Sequence, residues 1–225
     1  MPPDVALNEA LLKSLRAGIE RLGVAPLPDA RLIALVRLVD LLGRWNRVDN
    51  LTAVRDPERM VRRHLLDSLA VLPHMPPGAV LDVGSGAGFP GLPLAIARPE
   101  QHFVLLDSAA KRTRFMMMAR AALGLDNVDI VHGRIQDHAD GYDVVISRAF
   151  RALATFHQWC WKNVRERGVL MAMKGREAAA EAAQLSLDDS VMPVRTVALN
   201  VPGEPACRTL VMLTRRSDVP TGALV

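Results

Sequence analysis

Residues 79–91 read Ala79-Val80-Leu81-Asp82-Val83-Gly84-Ser85-Gly86-Ala87-Gly88-Phe89-Pro90-Gly91, and the fold is decided there. A short apolar run stops at glycines on alternate positions, and a helical apolar pattern starts at Gly91. A strand that turns on glycines into a helix sets the turn at the carboxyl edge of a parallel sheet, where such sheets bind ligands. Glycines permit the tight turn and let a ligand approach the backbone without Cβ atoms in the way. Two spacings coexist: Gly84-x-Gly86-x-Gly88 with Asp82 upstream suits S-adenosylmethionine, while Gly86-x-Gly88-x-x-Gly91 also satisfies the dinucleotide fingerprint. Charge separates them. A carboxylate at Asp82 stabilises a ligand carrying an ammonium and a sulfonium, whereas a pyrophosphate prefers a bare helix N-terminus and is repelled by a neighbouring acid. The next strand ends in Asp107, placed to accept from both ribose hydroxyls, which supports an adenosine ligand under either reading.

Outward from the turn, apolar runs at 79–83, 102–106, 128–131, 143–147 and 169–173 predict strands, with helices starting at Gly91, Lys111, Leu153 and Glu177 between them. Strands alternating with helices imply parallel crossovers and a doubly wound sheet. The last two strands, 194–199 and 208–214, are joined through Pro202-Gly203-Glu204-Pro205 without a helix. A loop that short permits an antiparallel pair but not a parallel one. The expected fold is therefore α/β, a doubly wound, mostly parallel seven-stranded sheet with an antiparallel C-terminal hairpin, the layout of methyltransferase sheets rather than of most dehydrogenases.

Before the sheet, residues 1–75 read as a helical N-terminal extension, leaving 76–225 for the sheet domain. Val5, Leu7, Leu11, Leu12, Leu15 and Ile19 recur at helical spacing, and Leu32, Leu35, Val36, Leu38, Val39 and Leu42 form a second apolar face. Asp56-Pro57 looks like an N-cap with proline at the first helical position of a third helix, which Pro73 stops.

The 225 residues are 50% hydrophobic and 23% charged, which excludes a disordered chain. Arg31, Arg37 and Asp40 interrupt the longest apolar candidates, so no membrane span is expected. Met1-Pro2-Pro3-Asp4 lacks the layout of a signal peptide, which favours the cytoplasm. Cys160 and Cys207 read as two reduced core thiols, and the scattered histidines predict no metal. The net charge of +4 suits an anionic partner. Arg44, Arg47, Arg55, Arg59, Arg62 and Arg63 cluster around Trp45, diluted by Asp49, Asp56 and Glu58. Met116-Met117-Met118 cannot share one helix face and reads as core filling.

The fourth strand runs into Ser147-Arg148-Ala149-Phe150, on the edge where a methyltransferase meets its substrate. No Asn/Asp-Pro-Pro-aromatic motif for an exocyclic amine follows it, and neither cysteine sits in a Pro-Cys setting suited to attack on a pyrimidine. Chemistry that needs neither device is alkylation of a lone pair without a proton, such as guanine N7. No catalytic acid or base is assigned; orientation carries the reaction. Arg148 and Phe150 are the candidate guanine contacts, Phe150 by stacking on an extruded base. Lys174, at the end of the fifth strand, is a candidate phosphate contact.

Taken together, Arg44-Trp45-Asn46, Asn50-Leu51-Thr52, Arg63-His64-Leu65-Leu66-Asp67-Ser68, the glycine turn, Leu105-Leu106-Asp107-Ser108, Ile146-Ser147-Arg148-Ala149-Phe150 and Lys174-Gly175 resemble the bacterial 16S rRNA (guanine-N7) methyltransferase family, RsmG or GidB. The resemblance implies methyl transfer from S-adenosylmethionine to N7 of a guanine in the decoding region, with 16S rRNA or the small-subunit particle as partner; a monomer is expected. It implies cofactor contacts from Gly84, Phe89, Ile135, Gln136 and Arg148, beside Asp82, Gly86, Gly88 and Asp107 from the motif. Gln136 stands where family members often have Glu. Arg44, Arg47, Arg62, Arg63, His64 and Lys174 are the RNA-binding candidates, with His64, Asp67 and Ser68 expected along the RNA or methionine end of the pocket. The rival readings are a methyltransferase for a non-RNA substrate and a nicotinamide-dependent oxidoreductase using Gly86–Gly91.

Overall fold

The computed structural model describes residues 5–148, 150, 152–185 and 194–214. Met1-Pro2-Pro3-Asp4, Ala149 and the side chains of Val5 and Leu7 lie outside the described residues. The N-terminal segment forms α1 (Val5–Arg21), α2 (Asp29–Asp49), α3 (Pro57–Met60) and α4 (Asp67–Leu69), the last two joined by a π-helical turn, Val61–Leu66. The Asp56 carboxylate caps α3 by accepting from the Arg59 N–H at 2.7 Å, as its position before proline predicts. The π turn was not legible, because the apolar rhythm of these residues is the same for i−4 and i−5 bonding.

The sheet contains β1 (Val80–Val83), β2 (Phe103–Asp107), β3 (Val128–His132), β4 (Tyr142–Ser147), β5 (Val164–Lys174), β6 (Arg195–Ala198) and β7 (Thr209–Leu213) in the order β3-β2-β1-β4-β5-β7-β6. The first five strands are parallel, and β7 runs antiparallel to both β5 and β6. Among the crossovers lie α5 (Gly91–Ala97), α6 (Ala110–Leu123), α7 (Leu153–Cys160) and, before the hairpin, α8 (Ala178–Leu185). Strand order reverses between β1 and β4, so the glycine turn after β1 stands at the topological switch point. Strand β5 begins earlier than 169: Arg165, Glu166 and Arg167 are exposed charged residues that give no apolar signal, and Arg167 has φ +62°.

Alternate strand residues feed two cores. Val80, Phe103, Leu105, Val144, Ile146 and Met171 pack with the N-terminal helices, α5 and α6; Leu81, Val104, Leu106, Val145 and Leu170 pack with α7 and α8. The N-terminal helices therefore share a core with one face of the sheet. Trp45 packs edge-on against Phe115 of α6 at 5.8 Å, a core contact within the basic cluster. Met116 is buried whereas Met117 is exposed, so core filling holds for only part of that run. Cys160 is buried, but Cys207 is exposed just before β7 and is not the core thiol expected. No helix among the described residues is long and apolar enough to cross a membrane.

Candidate functional site

The turn after β1 is held between two carboxylates. Gly84, Gly86 and Gly88 have φ of +69°, +62° and +82°, which L side chains adopt only with strain. Asp82 is fully buried; its Oδ2 accepts from the Gly91 N–H at 2.9 Å. Its other oxygen has no hydrogen-bond partner among the described residues. Burial pushes the Asp82 carboxyl up to about 7, opposed by the Gly91 N–H. From the other side, Asp107 accepts from the Gly86 N–H at 2.9 Å, the Ala109 N–H at 2.9 Å and Arg112 Nη1 at 3.3 Å.

Beside this turn lies a cavity of about 350 Å³ formed at the ends of β1, β2 and β3. Gly84, Asp107, Ile135, Gln136 and Phe150 line it, together with Arg112 and with Arg134 and Trp159, the last two not singled out by the sequence. Its size suits a small-molecule ligand. A Cβ at Gly84 would meet nothing within 4 Å, so the glycine leaves open a cradle that any side chain would fill. With an acid at Asp107, a polar edge at Gln136 and apolar walls from Ile135, Phe150 and Trp159, these residues fit an adenosine-bearing ligand. We expect Gly84→Ala to cost about 1–2 kcal/mol of backbone strain and to weaken S-adenosylmethionine on the order of tenfold, about 1.4 kcal/mol. Calorimetry alongside a thermal melt checks this, and unchanged affinity would remove Gly84 from the ligand's path.

Asp82, Gly86, Gly88, Phe89 and Arg148 do not line this cavity. Asp82, Gly86 and Gly88 shape the turn from behind. Arg148 belongs instead to a second cavity of about 340 Å³, lined by Arg63, His64, Asp67, Arg148, Lys174 and Arg208, and Phe89 lines neither cavity but packs behind the second. The Ser147 hydroxyl donates to the Val83 carbonyl at 2.7 Å, fastening the ends of β4 and β1 together and making the two cavities neighbours. Phe150 was paired with Arg148 as a guanine contact, yet it faces the first cavity.

The second cavity depends on the π turn. In an α-helix the Asp67 N–H would bond to the Arg63 carbonyl; here it reaches the Arg62 and His64 carbonyls, and Arg148 Nη1 donates to the Arg63 carbonyl at 3.0 Å. Such turns recur at functional sites because they release a backbone group. Buried Asp67 accepts from Arg148 Nη1 at 3.3 Å and from Arg208 Nε at 2.9 Å. The Arg148 guanidinium stands 5.3 Å above the Phe89 ring, which stacks on His64 at 4.8 Å. Burial, then the charge of Arg148, holds His64 down at about 3, so the imidazole is neutral at physiological pH. Its Nε2 lies 3.0 Å from the Thr52 hydroxyl, and Asn46 accepts from the Thr52 N–H at 2.8 Å. That chain links the Trp45-Asn46, Leu51-Thr52 and Arg63-His64 segments. Ser68 lines neither cavity; its hydroxyl donates to the His64 carbonyl at 2.6 Å.

The other RNA candidates are dispersed. Arg44 pairs with Asp40 at 2.8 Å, Arg62 with Glu58 at 3.6 Å and Arg63 with Glu204 at 3.0 Å, whereas Arg47 joins Arg44 and Arg55 around a third cavity of about 320 Å³. Lys174 is largely buried, with Nζ 3.0 Å from Glu181 and donating to the Phe150 carbonyl at 3.2 Å. It is an internal clasp rather than an extended phosphate contact.

Comparison with known proteins is consistent with this geometry. Residues 31–211 match the family described as GidB, rRNA small subunit methyltransferase G. A "Ribosomal RNA small subunit methyltransferase G" of Methylobacillus flagellatus is 44% identical over 206 residues, 91% of this chain and 98% of the relative. One from Neisseria gonorrhoeae is 46% identical over 208 residues, covering 90% and 97%. Among solved structures, a ribosomal protein L11 methylase from Lactobacillus delbrueckii aligns with a TM-score of 0.54 at 12% identity, covering 68% of this chain and 78% of that one. A precorrin-6y C5,15-methyltransferase from Geobacter metallireducens gives 0.51 at 14% identity, covering 75% and 92%. These two likenesses concern the fold alone.

Proposed function

The chain belongs to the small-subunit rRNA methyltransferase G family, and on that premise we propose that it moves a methyl group from S-adenosylmethionine to N7 of a guanine in the decoding region of 16S ribosomal RNA. Family membership removes the oxidoreductase reading of Gly86–Gly91 and the reading as a methyltransferase for a non-RNA substrate. The observation that carries the proposal is the pair of neighbouring cavities at the switch point, one cradled by glycine and closed by Asp107, the other lined by Arg63, Arg148 and Arg208.

S-adenosylmethionine supplies an electrophilic methyl on a sulfonium. Gly84, Asp107, Ile135 and Gln136 would hold its adenosine portion, and buried Asp82 would favour its cationic end through the turn. Guanine N7 carries a lone pair and no proton, so the attack needs nothing deprotonated. His64 is the one imidazole in the second cavity, and a group held at about 3 is too weak a base to take a proton at neutral pH. What remains for the protein is to orient the purine, an effect worth up to about 7–11 kcal/mol in favourable systems. Arg148 and Arg208, fixed on Asp67, offer N–H donors of the kind that recognise guanine O6. Methylation moves positive charge from sulfur to the purine. The cations Arg63, Arg148 and Arg208 then disfavour the product they helped to seat, which promotes its release.

The test is tritiated methyl transfer to unmodified small-subunit particles and to protein-free 16S RNA, followed by nucleoside mapping. Label in 7-methylguanosine is expected, with RNA affinity falling steeply between low and moderate salt as phosphate contacts cease to release counterions. Label in another nucleoside, or in protein, would overturn the proposal; a flat salt response would remove Arg44, Arg47 and Arg55 from the RNA surface.

A further inference from the structure

Phe150 is a wall of the first cavity, yet it lies between β4 and α7 in no strand or helix of its own. Its ring is 5.1 Å from Phe156 and meets Trp159, another wall, edge to face at 5.7 Å. The backbone that follows the ring is fastened at two points by one largely buried ion pair. Lys174 Nζ donates to the Phe150 carbonyl at 3.2 Å and pairs with Glu181 Oε1 at 3.0 Å. The second oxygen of Glu181 accepts from the Leu153 N–H, at the start of α7. The side chains of Lys174 and Glu181 are only 8% and 18% exposed, so solvent screens the pair weakly and both partners keep charge-assisted hydrogen bonds. Glu181 itself lines neither cavity.

We propose that Glu181 of α8, acting with Lys174, is a positioning residue for the methyl donor: the pair clamps the backbone at Phe150 and Leu153 so that Phe150 stays against the first cavity. A large ring outside any strand or helix would otherwise sample several rotamers, and the ligand would meet the entropy cost of ordering it. Lys174 also lines the second cavity, so the clamp ties the wall of the donor cavity to the floor of the arginine-lined one. The inference rests on reading the first cavity as the donor's.

The experiment measures S-adenosylmethionine affinity by calorimetry for wild type, Glu181→Gln, Phe150→Ala and the double variant, with Asp107→Ala as a check on the cavity itself. Glu181→Gln should weaken binding about fivefold to tenfold, and in the Phe150→Ala background it should add little, since residues acting as a unit are not additive. A general loss of packing would instead add in full. Glu181→Asp, which keeps the charge but shortens the reach, should fall between wild type and Glu181→Gln, and it carries the test if Glu181→Gln does not fold. In a Trp45→Phe, Trp161→Phe background, Trp159 fluorescence should become more accessible to acrylamide when Glu181 is replaced. If Asp107→Ala weakens binding while Glu181 variants match wild type, or act equally with and without Phe150, the clamp is wrong. If Asp107→Ala also leaves affinity unchanged, the assignment of the cavity is wrong and the clamp falls with it.

Discussion

Replacing Arg148 with alanine is expected to lower methyl transfer by about 100–1000-fold, the usual loss when one preorganised donor leaves a water-poor site. The arginine is the joint at which the end of β4, the π turn and the start of β7 meet. It donates to the Arg63 carbonyl, shares Asp67 with Arg208 and covers Phe89. Removing it loosens three contacts that orient the second cavity. The fold should survive, because Asp67 keeps Arg208 at 2.9 Å and is not left as an unpaired buried carboxylate. The stability cost is then of the order of a hydrogen-bond group, about 1–3 kcal/mol. Arg148→Lys should recover little: an ammonium lacks the planar guanidinium that lies over the Phe89 ring and the further N–H donors it would turn to a purine. Single-turnover transfer at saturating donor, beside a thermal melt, decides the matter. Turnover within threefold of wild type in Arg148→Ala would remove the residue from the site.

Both the legible and the illegible parts of this protein have physical causes. Strand β1, its turn and α5 were readable because alternate glycines, an acid and a change of apolar period all lie within thirteen residues. The C-terminal hairpin was readable because a short Pro-Gly loop has few ways to join two strands. The architecture of the second cavity was not. Asp67 and Arg208 are separated by 141 residues, and no local pattern says that they meet. Arg148 and Phe150 are two positions apart and looked like partners. Arg148, however, leaves β4 toward the N-terminal helices, while the chain carries Phe150 to α7 on the other face of the sheet. Lys174 looked like an exposed cation, since the glutamate that claims it arrives only when α8 folds back over the sheet.

Asp82→Asn should change two measurable quantities, each in a way that follows from burial. In the folded protein the Asp82 carboxyl is raised from 3.8 to about 7, so the folded chain keeps a proton that the unfolded chain releases. Stability of the ligand-free protein must therefore fall as pH rises from about 4 to about 7 and level off above, the sign being set by the extra proton bound in the folded state. Asparagine carries no such proton. The variant should lose that part of the slope, while its side-chain oxygen can still accept from the Gly91 N–H. Donor binding should respond in the opposite sense, because a cationic ligand favours the ionised carboxylate and draws the proton off. Wild-type affinity is then expected to rise between pH 6 and pH 8 with proton release, whereas Asp82→Asn should show neither and bind on the order of tenfold more weakly at pH 8, about 1.4 kcal/mol. Calorimetry in two buffers of different ionisation enthalpy counts the protons directly. Wild-type affinity at pH 8 in the variant would mean that the buried acid serves only to brace the turn, and that the cationic end of the donor is recognised elsewhere.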